Sequence, residues 1–124
     1  MFVYEKKLQY PVRIKTPNPA LAKFIISQYG GPDGELGASL RYLSQRYSMP
    51  YPELKGLLTD IGTEELGHLE MVGTIVHQLT RSMTPDEIKK AGFDTYFVDH
   101  TAGVYPQFAS GTPWSAATMA VTGD

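Results

Sequence analysis

The strongest pattern of apolar positions runs from about residue 52 to 80. Leu54, Leu57, Leu58, Ile61, Val72, Ile75, Val76 and Leu79 recur there at helical spacing and form one broad stripe. Pro52, with Glu53 beside it, suits the first turn of that helix. A second pattern covers about 19 to 47 in two pieces. Asn18-Pro19 is a helix start, with Asn as cap and Pro at the first helical position, and Leu21, Phe24, Ile25 and Gln28 are expected on one face. Gly30-Gly31-Pro32 interrupts, and Asp33 is expected to cap the continuation. Leu36, Leu40, Leu43 and Tyr47 then follow at i, i+4, i+7 and i+11. The link from Ser48 to Tyr51 is short, which favours antiparallel neighbours.

The ends of the chain carry weaker patterns. Residues 1 to 18 read as an extended arm, because Pro11 and Pro17 stand inside it and Pro19 just after it. Thr84-Pro85-Asp86-Glu87 opens a short helix that Gly92 stops. Residues 93 to 112 read as an ordered loop, since Phe93, Tyr96, Phe97, Tyr105 and Phe108 offer apolar surface, and Trp114 to Val121 as a short helix.

Composition narrows the functional classes. Net charge is −2 and the Lys and Arg are scattered, so neither a nucleic-acid nor an anionic membrane partner is expected. No stretch approaches the ~18–20 apolar residues of a membrane span. The absence of cysteine excludes disulfides, thiolate catalysis and Cys-ligated zinc. The N-terminus lacks the features of a signal peptide, so the chain reads as cytoplasmic by default. Gly30-Gly31-Pro32-Asp33-Gly34 precedes a helix, as a phosphate cradle does, but no strand before it supports a dinucleotide fold.

The candidate chemistry lies in Thr63-Glu64-Glu65-Leu66-Gly67-His68-Leu69-Glu70. Glu65 and His68, at i and i+3, project the same way from a helix and fall within its apolar stripe. A carboxylate on a buried face costs several kcal/mol, of order, unless a cation or a donor compensates it. A divalent metal held by Glu65 and His68 satisfies both. Glu-x-x-His, with a lone Glu from a neighbouring helix, is the ligand unit of dinuclear carboxylate sites in helical bundles. Glu35, flanked by Gly34 and Gly37, supplies that lone Glu, and Tyr42 stands at i+7 on the same face to hydrogen-bond a carboxylate and fix its orientation. The plainer alternative makes Glu64, Glu65 and Glu70 solvated charges, His68 a core histidine bonded to a carbonyl, and Tyr42 a core aromatic. Glu64 and Asp60 fit a salt bridge or the surroundings of a metal; His77 reads as a surface residue and His100 as a structural or exposed one.

The strings YEKKLQYPV, NPALAK, YGGPDGEL, RYLSQRY, LLTDIGTEELGHLEM and SGTPWSA occur in order along nearly the whole chain. On them the sequence resembles the manganese catalase family, and most its short branch of spore coat proteins, the CotJC type. The resemblance implies an all-α, ferritin-like four-helix bundle holding two manganese ions, of which this chain supplies the first helix pair and a long C-terminal loop. It implies Glu35 as a terminal carboxylate, Glu65 as the catalytic carboxylate that bridges the metals, His68 as the nitrogen ligand and Tyr42 as an orienting tyrosine. It further implies dismutation of hydrogen peroxide, a homo-oligomer, and a place in the spore coat among other coat proteins. Iron is the alternative metal, since carboxylate and imidazole accept it too. A structural coat protein without turnover and a diiron oxidase are the alternative functions.

The family pattern continues into two more helices carrying a second Glu and His, and no second Glu-x-x-His occurs in these 124 residues. The Thr122-Gly123-Asp124 ending resembles an interruption. Residues 1–124 are therefore expected to form a single, incomplete domain of a longer protein. The alternatives are two copies pairing antiparallel and a coat component that binds no metal pair.

Overall fold

The computed structural model describes residues 3–30, 33–94, 97–98 and 103–104. The chain divides into two compact units, Met1–Arg81 and Ser82–Asp124.

The first unit is helical. Helices α1 (Pro19–Ile25) and α2 (Ser27–Gly30) precede α3 (Glu35–Gln45), a single 3-10 turn (Arg46–Ser48) and the long α4 (Pro52–Thr80). At ~1.5 Å per residue, α4 is roughly 44 Å long. The Asn18 side chain accepts a hydrogen bond from the Leu21 amide, so the predicted cap of α1 is present. The expected single first helix is broken at Ile26, and α2 is a short continuation. Asp33 does not cap α3: Gly34 occupies the cap position with no side-chain bond, and Glu35 places a carboxylate in the first turn, where the helix dipole favours it.

Packing around α4 sets the core. Val72, Val76 and Leu79, at i, i+4 and i+7, are buried, as is Ala22 of α1. The expected contact face of α1 is displaced: Leu21 and Phe24 are exposed, while Ala22 is buried and Ile25 and Ile26 are half-buried. A methyl side chain lets the helix backbones come closer than Leu or Phe would.

Where α3 meets α4, the Ser39 hydroxyl donates to the Gly62 carbonyl at 2.7 Å and is buried. A Cβ at Gly62 would lie 2.7 Å from Leu43 Cγ, so this glycine is the point of closest approach. Arg46 reaches Thr59 at the other end of the contact. Descending numbers on α3 thus meet ascending numbers on α4, the antiparallel arrangement the short link favours. The outer stripe remains open: Leu40 is 63% and Leu57 53% exposed, and Leu36, Tyr47 and Leu54 are exposed with them. The two helices form an antiparallel pair with an accessible apolar face.

The extended arm is pinned to α4 by side chains the sequence did not single out. Gln78 donates to the Val12 carbonyl at 2.9 Å and accepts from the Ile14 amide at 2.7 Å. Arg81 donates to the carbonyls of Ile14 and Lys15, and the Asn18 amide to that of Leu79. Tyr4 donates to Glu70 and Gln9 to Glu64. No described helix is long and apolar enough to cross a membrane.

In the second unit, α5 (Pro85–Lys90) opens with a complete capping box between Thr84 and Glu87, as its sequence predicts. Gly92 takes a positive φ of 65°, and the Phe93 amide donates to the Ile88 carbonyl, closing the helix. Within the expected loop, β1 (Phe97–Val98) and β2 (Gly103–Val104) form a minimal antiparallel ladder, Phe97 opposite Val104. His100 and the predicted helix at Trp114 to Val121 lie outside the described residues.

Candidate metal centre

The α3–α4 register builds the site. With Ser39 fixed on Gly62, one turn back along α3 brings Glu35 opposite Glu65, one turn forward along α4. His68 follows Glu65 by three residues on the same face. One ligand atom from each of Glu35, Glu65 and His68 lies within 4.8 Å of the others. Among the described residues, these three form the group of metal-ligating type found this close together.

His68 Nδ1 stands 2.7 Å from Glu65 Oε2 and 3.7 Å from Glu35 Oε2. Glu65 is the least accessible of the three, its side chain 13% exposed against 27% for Glu35 and 35% for His68. The expected buried face is thus only partly buried at the site itself. Glu35 has its carboxyl pushed above the ordinary carboxylate range. The hydrogen bond shared with Glu65 is the largest cause, followed by burial and the Glu65 charge, while His68 acts in the opposite direction. Two carboxylates this close repel when both are charged, and a divalent cation between them would offset that repulsion. Two carboxylates and an imidazole form a donor set accepted by manganese, iron and zinc, so the residues fit such a group.

The other candidates fall around this trio. Tyr42 is half-buried on α3, two turns from Glu35, and no hydrogen bond joins its hydroxyl to the three among the described residues. Glu64 is exposed and its Oε1 lies 4.0 Å from His68 Nε2. Asp60 and His77 are exposed, on the faces their spacing indicated. Gln9 went unrecognised in the sequence: it donates to Glu64 at 2.7 Å across 55 residues, and nothing in the local sequence signals that contact. The Ser39–Gly62 pair also escaped the pattern, although a small residue inside an apolar helical stripe is the mark of a close crossing.

Comparison with known proteins follows this geometry. The profile of a family described as manganese containing catalase matches residues 1–124. The chain is 52% identical over 124 residues to Protein CotJC of Bacillus subtilis, covering 100% of this chain and 65% of that protein. It is 38% identical over 128 residues to a probable manganese catalase of Clostridium acetobutylicum, covering 56% of it. Among solved structures it resembles wild-type KatB, a manganese catalase from Anabaena, with a TM-score of 0.71, 31% identity and coverage of 100% of this chain and 55% of that one. The chain therefore spans less than two thirds of the length of each of these relatives.

Proposed function

The chain belongs to the manganese-containing catalase family, and on that premise we propose that it carries one half of a dimanganese centre that dismutes hydrogen peroxide to water and dioxygen. The observation that carries this reading is the convergence of Glu35, Glu65 and His68 within 4.8 Å, from two helices held in register by Ser39 and Gly62.

Each residue has a role that follows from its position. Glu65, the least exposed of the three, has one oxygen beside His68 and shares a hydrogen bond with Glu35, which supports reading it as the carboxylate that two cations would share. Glu35 offers a terminal carboxylate from the start of α3, and His68 a neutral nitrogen that adds no charge. Tyr42 is the candidate for orienting Glu35 once further helices close over α3. Manganese held there would supply a couple between two oxidation levels, suited to reducing one peroxide to two waters and oxidising a second to dioxygen. The protein holds the donors in place, balances the charge of the ions with the carboxylates, and limits water around them.

Two further helices, from sequence beyond these residues or from a second copy, would add the remaining Glu and His and cover the open stripe of Leu36, Leu40, Leu54 and Leu57. We place the protein as a homo-oligomer in the spore coat, with other coat proteins as partners; the 52% identity to Protein CotJC supports that branch. Iron remains the competing metal by donor chemistry.

The test is the metal content of the full-length protein purified from its own host, alongside Glu65→Gln. About two manganese per bundle, lost in E65Q while helicity is retained, supports the reading. Iron in place of manganese favours an oxidase, and no metal in a folded sample favours a purely structural coat protein.

A further inference from the structure

We infer that Gln9 and Glu64 act as a positioning relay that fixes which nitrogen of His68 faces the metal. The inference rests on the manganese reading of Glu35, Glu65 and His68.

The geometry gives the two ring nitrogens different neighbours. Nδ1 faces inward, 2.7 Å from Glu65 and 3.7 Å from Glu35. Nε2 faces outward, with Glu64 Oε1 at 4.0 Å. A neutral imidazole carries its proton on one nitrogen and offers the other as ligand. Nδ1 is within hydrogen-bond distance of Glu65, and a proton on that nitrogen would block it as a ligand. A carboxylate outside the ring favours the opposite tautomer, with the proton on Nε2 and the lone pair of Nδ1 directed at Glu35 and Glu65. Glu64, whose Oε1 lies 4.0 Å from Nε2 and so just beyond hydrogen-bond reach, is the carboxylate near enough to take that role with a small side-chain shift. Histidine ligands commonly have such a partner on the nitrogen away from the metal.

Glu64 is exposed and needs to be held. Gln9, from the arm, donates to the same Oε1 at 2.7 Å. Gly67 makes the approach possible, since a Cβ there would stand 3.2 Å from Gln9 Oε1. The arm is separately anchored by Gln78 and Arg81, so Gln9 is presented from a fixed strand of chain. An open cavity of about 620 Å³ between the arm and α4 lets water reach Glu64, which holds the effect of the relay to the lower end of the range for such partners.

The experiment is Mn²⁺ titration of the full-length protein, followed by the electron paramagnetic resonance signal of free Mn²⁺. Nitrogen-15 histidine spectra of the zinc-loaded protein report the tautomer. Glu64→Gln keeps the shape and removes the charge; it is expected to weaken Mn²⁺ binding about tenfold and to shift the His68 Nε2–H resonance. Gln9→Ala should lose affinity in the same direction by a smaller factor. Tyr4→Phe breaks another arm contact, to Glu70, and should leave both readouts unchanged. Wild-type affinity in E64Q, an equal loss in Y4F, or zinc on Nε2 in the wild type overturns the relay while the manganese reading stands. No Mn²⁺ binding by the wild type overturns both.

Discussion

The Ser39 hydroxyl donates to the Gly62 carbonyl at 2.7 Å inside the α3–α4 contact, in the register that brings Glu35 and Glu65 together. Ser39 and Gly62 decide the distance between the helices, and that distance decides whether two carboxylates and an imidazole share a cation or stand apart.

Gly62→Val follows directly. A Cβ at this position would already meet Leu43 Cγ at 2.7 Å and the Leu43 amide nitrogen at 3.2 Å, and a branched side chain adds to the overlap. We expect a loss of about 1–3 kcal/mol in chemical denaturation, as for other overpacked contacts, together with weaker metal binding as α3 is displaced. Ser39→Ala should cost only about 1 kcal/mol, because the Gly62 carbonyl keeps its place in the α4 ladder.

The raised Glu35 carboxyl gives the metal-free protein a pH signature. A carboxyl whose folded value lies above its unfolded value binds the proton more tightly when folded. Its contribution to stability is therefore complete below the unfolded value and is lost as pH rises through the raised one. Manganese competes with that proton, so binding below the raised value should release a proton, and it should strengthen as pH rises until that value is passed and the release ceases. In Glu65→Gln the carboxyl that shares the hydrogen bond with Glu35 is gone, and its charge with it, so Glu35 should titrate closer to the ordinary carboxylate range in a carbon-13 NMR titration.

Gln78→Ala tests the arm apart from the site. Its side chain holds Val12 and Ile14 by two hydrogen bonds, of about 1 kcal/mol net each. The variant should lose roughly 2 kcal/mol and become cleavable by limited proteolysis between residues 9 and 16.

Leu40→Asp asks whether the open stripe is covered in the working protein. On an exposed face such a change falls within about 0.5 kcal/mol. Under the two further helices proposed here it buries a charge, and we expect a loss of several kcal/mol, of order, with thermal denaturation as the readout.

Much of this was legible in the chain because it is local. Asn18-Pro19 and the Thr84/Glu87 box announce helix starts through side chains that bond neighbouring amides, and both form as their sequence predicts. The i, i+3 spacing of Glu65 and His68 fixes their common direction whatever the rest of the fold does. What the pattern misplaced depends on tertiary choice. It put Leu21, Phe24, Ile25 and Gln28 on one face, whereas the fold buries Ala22, a small residue that allows close crossing. It assigned the cap of α3 to Asp33 by residue type, but the cap position falls on Gly34. Gln9 and Gln78 are polar residues with partners 55 to 66 positions away, and no periodicity reports a contact over such distances.

The measurement closest to the central claim is dioxygen release on adding hydrogen peroxide to the full-length protein, normalised to bound manganese, with Glu65→Gln beside it. The account predicts oxygen from the manganese-loaded wild type and a loss of at least about a hundredfold in E65Q, since the bridging carboxylate is gone while the helices remain. Oxygen release that persists undiminished in E65Q, or a fully manganese-loaded wild type that releases none, would contradict it.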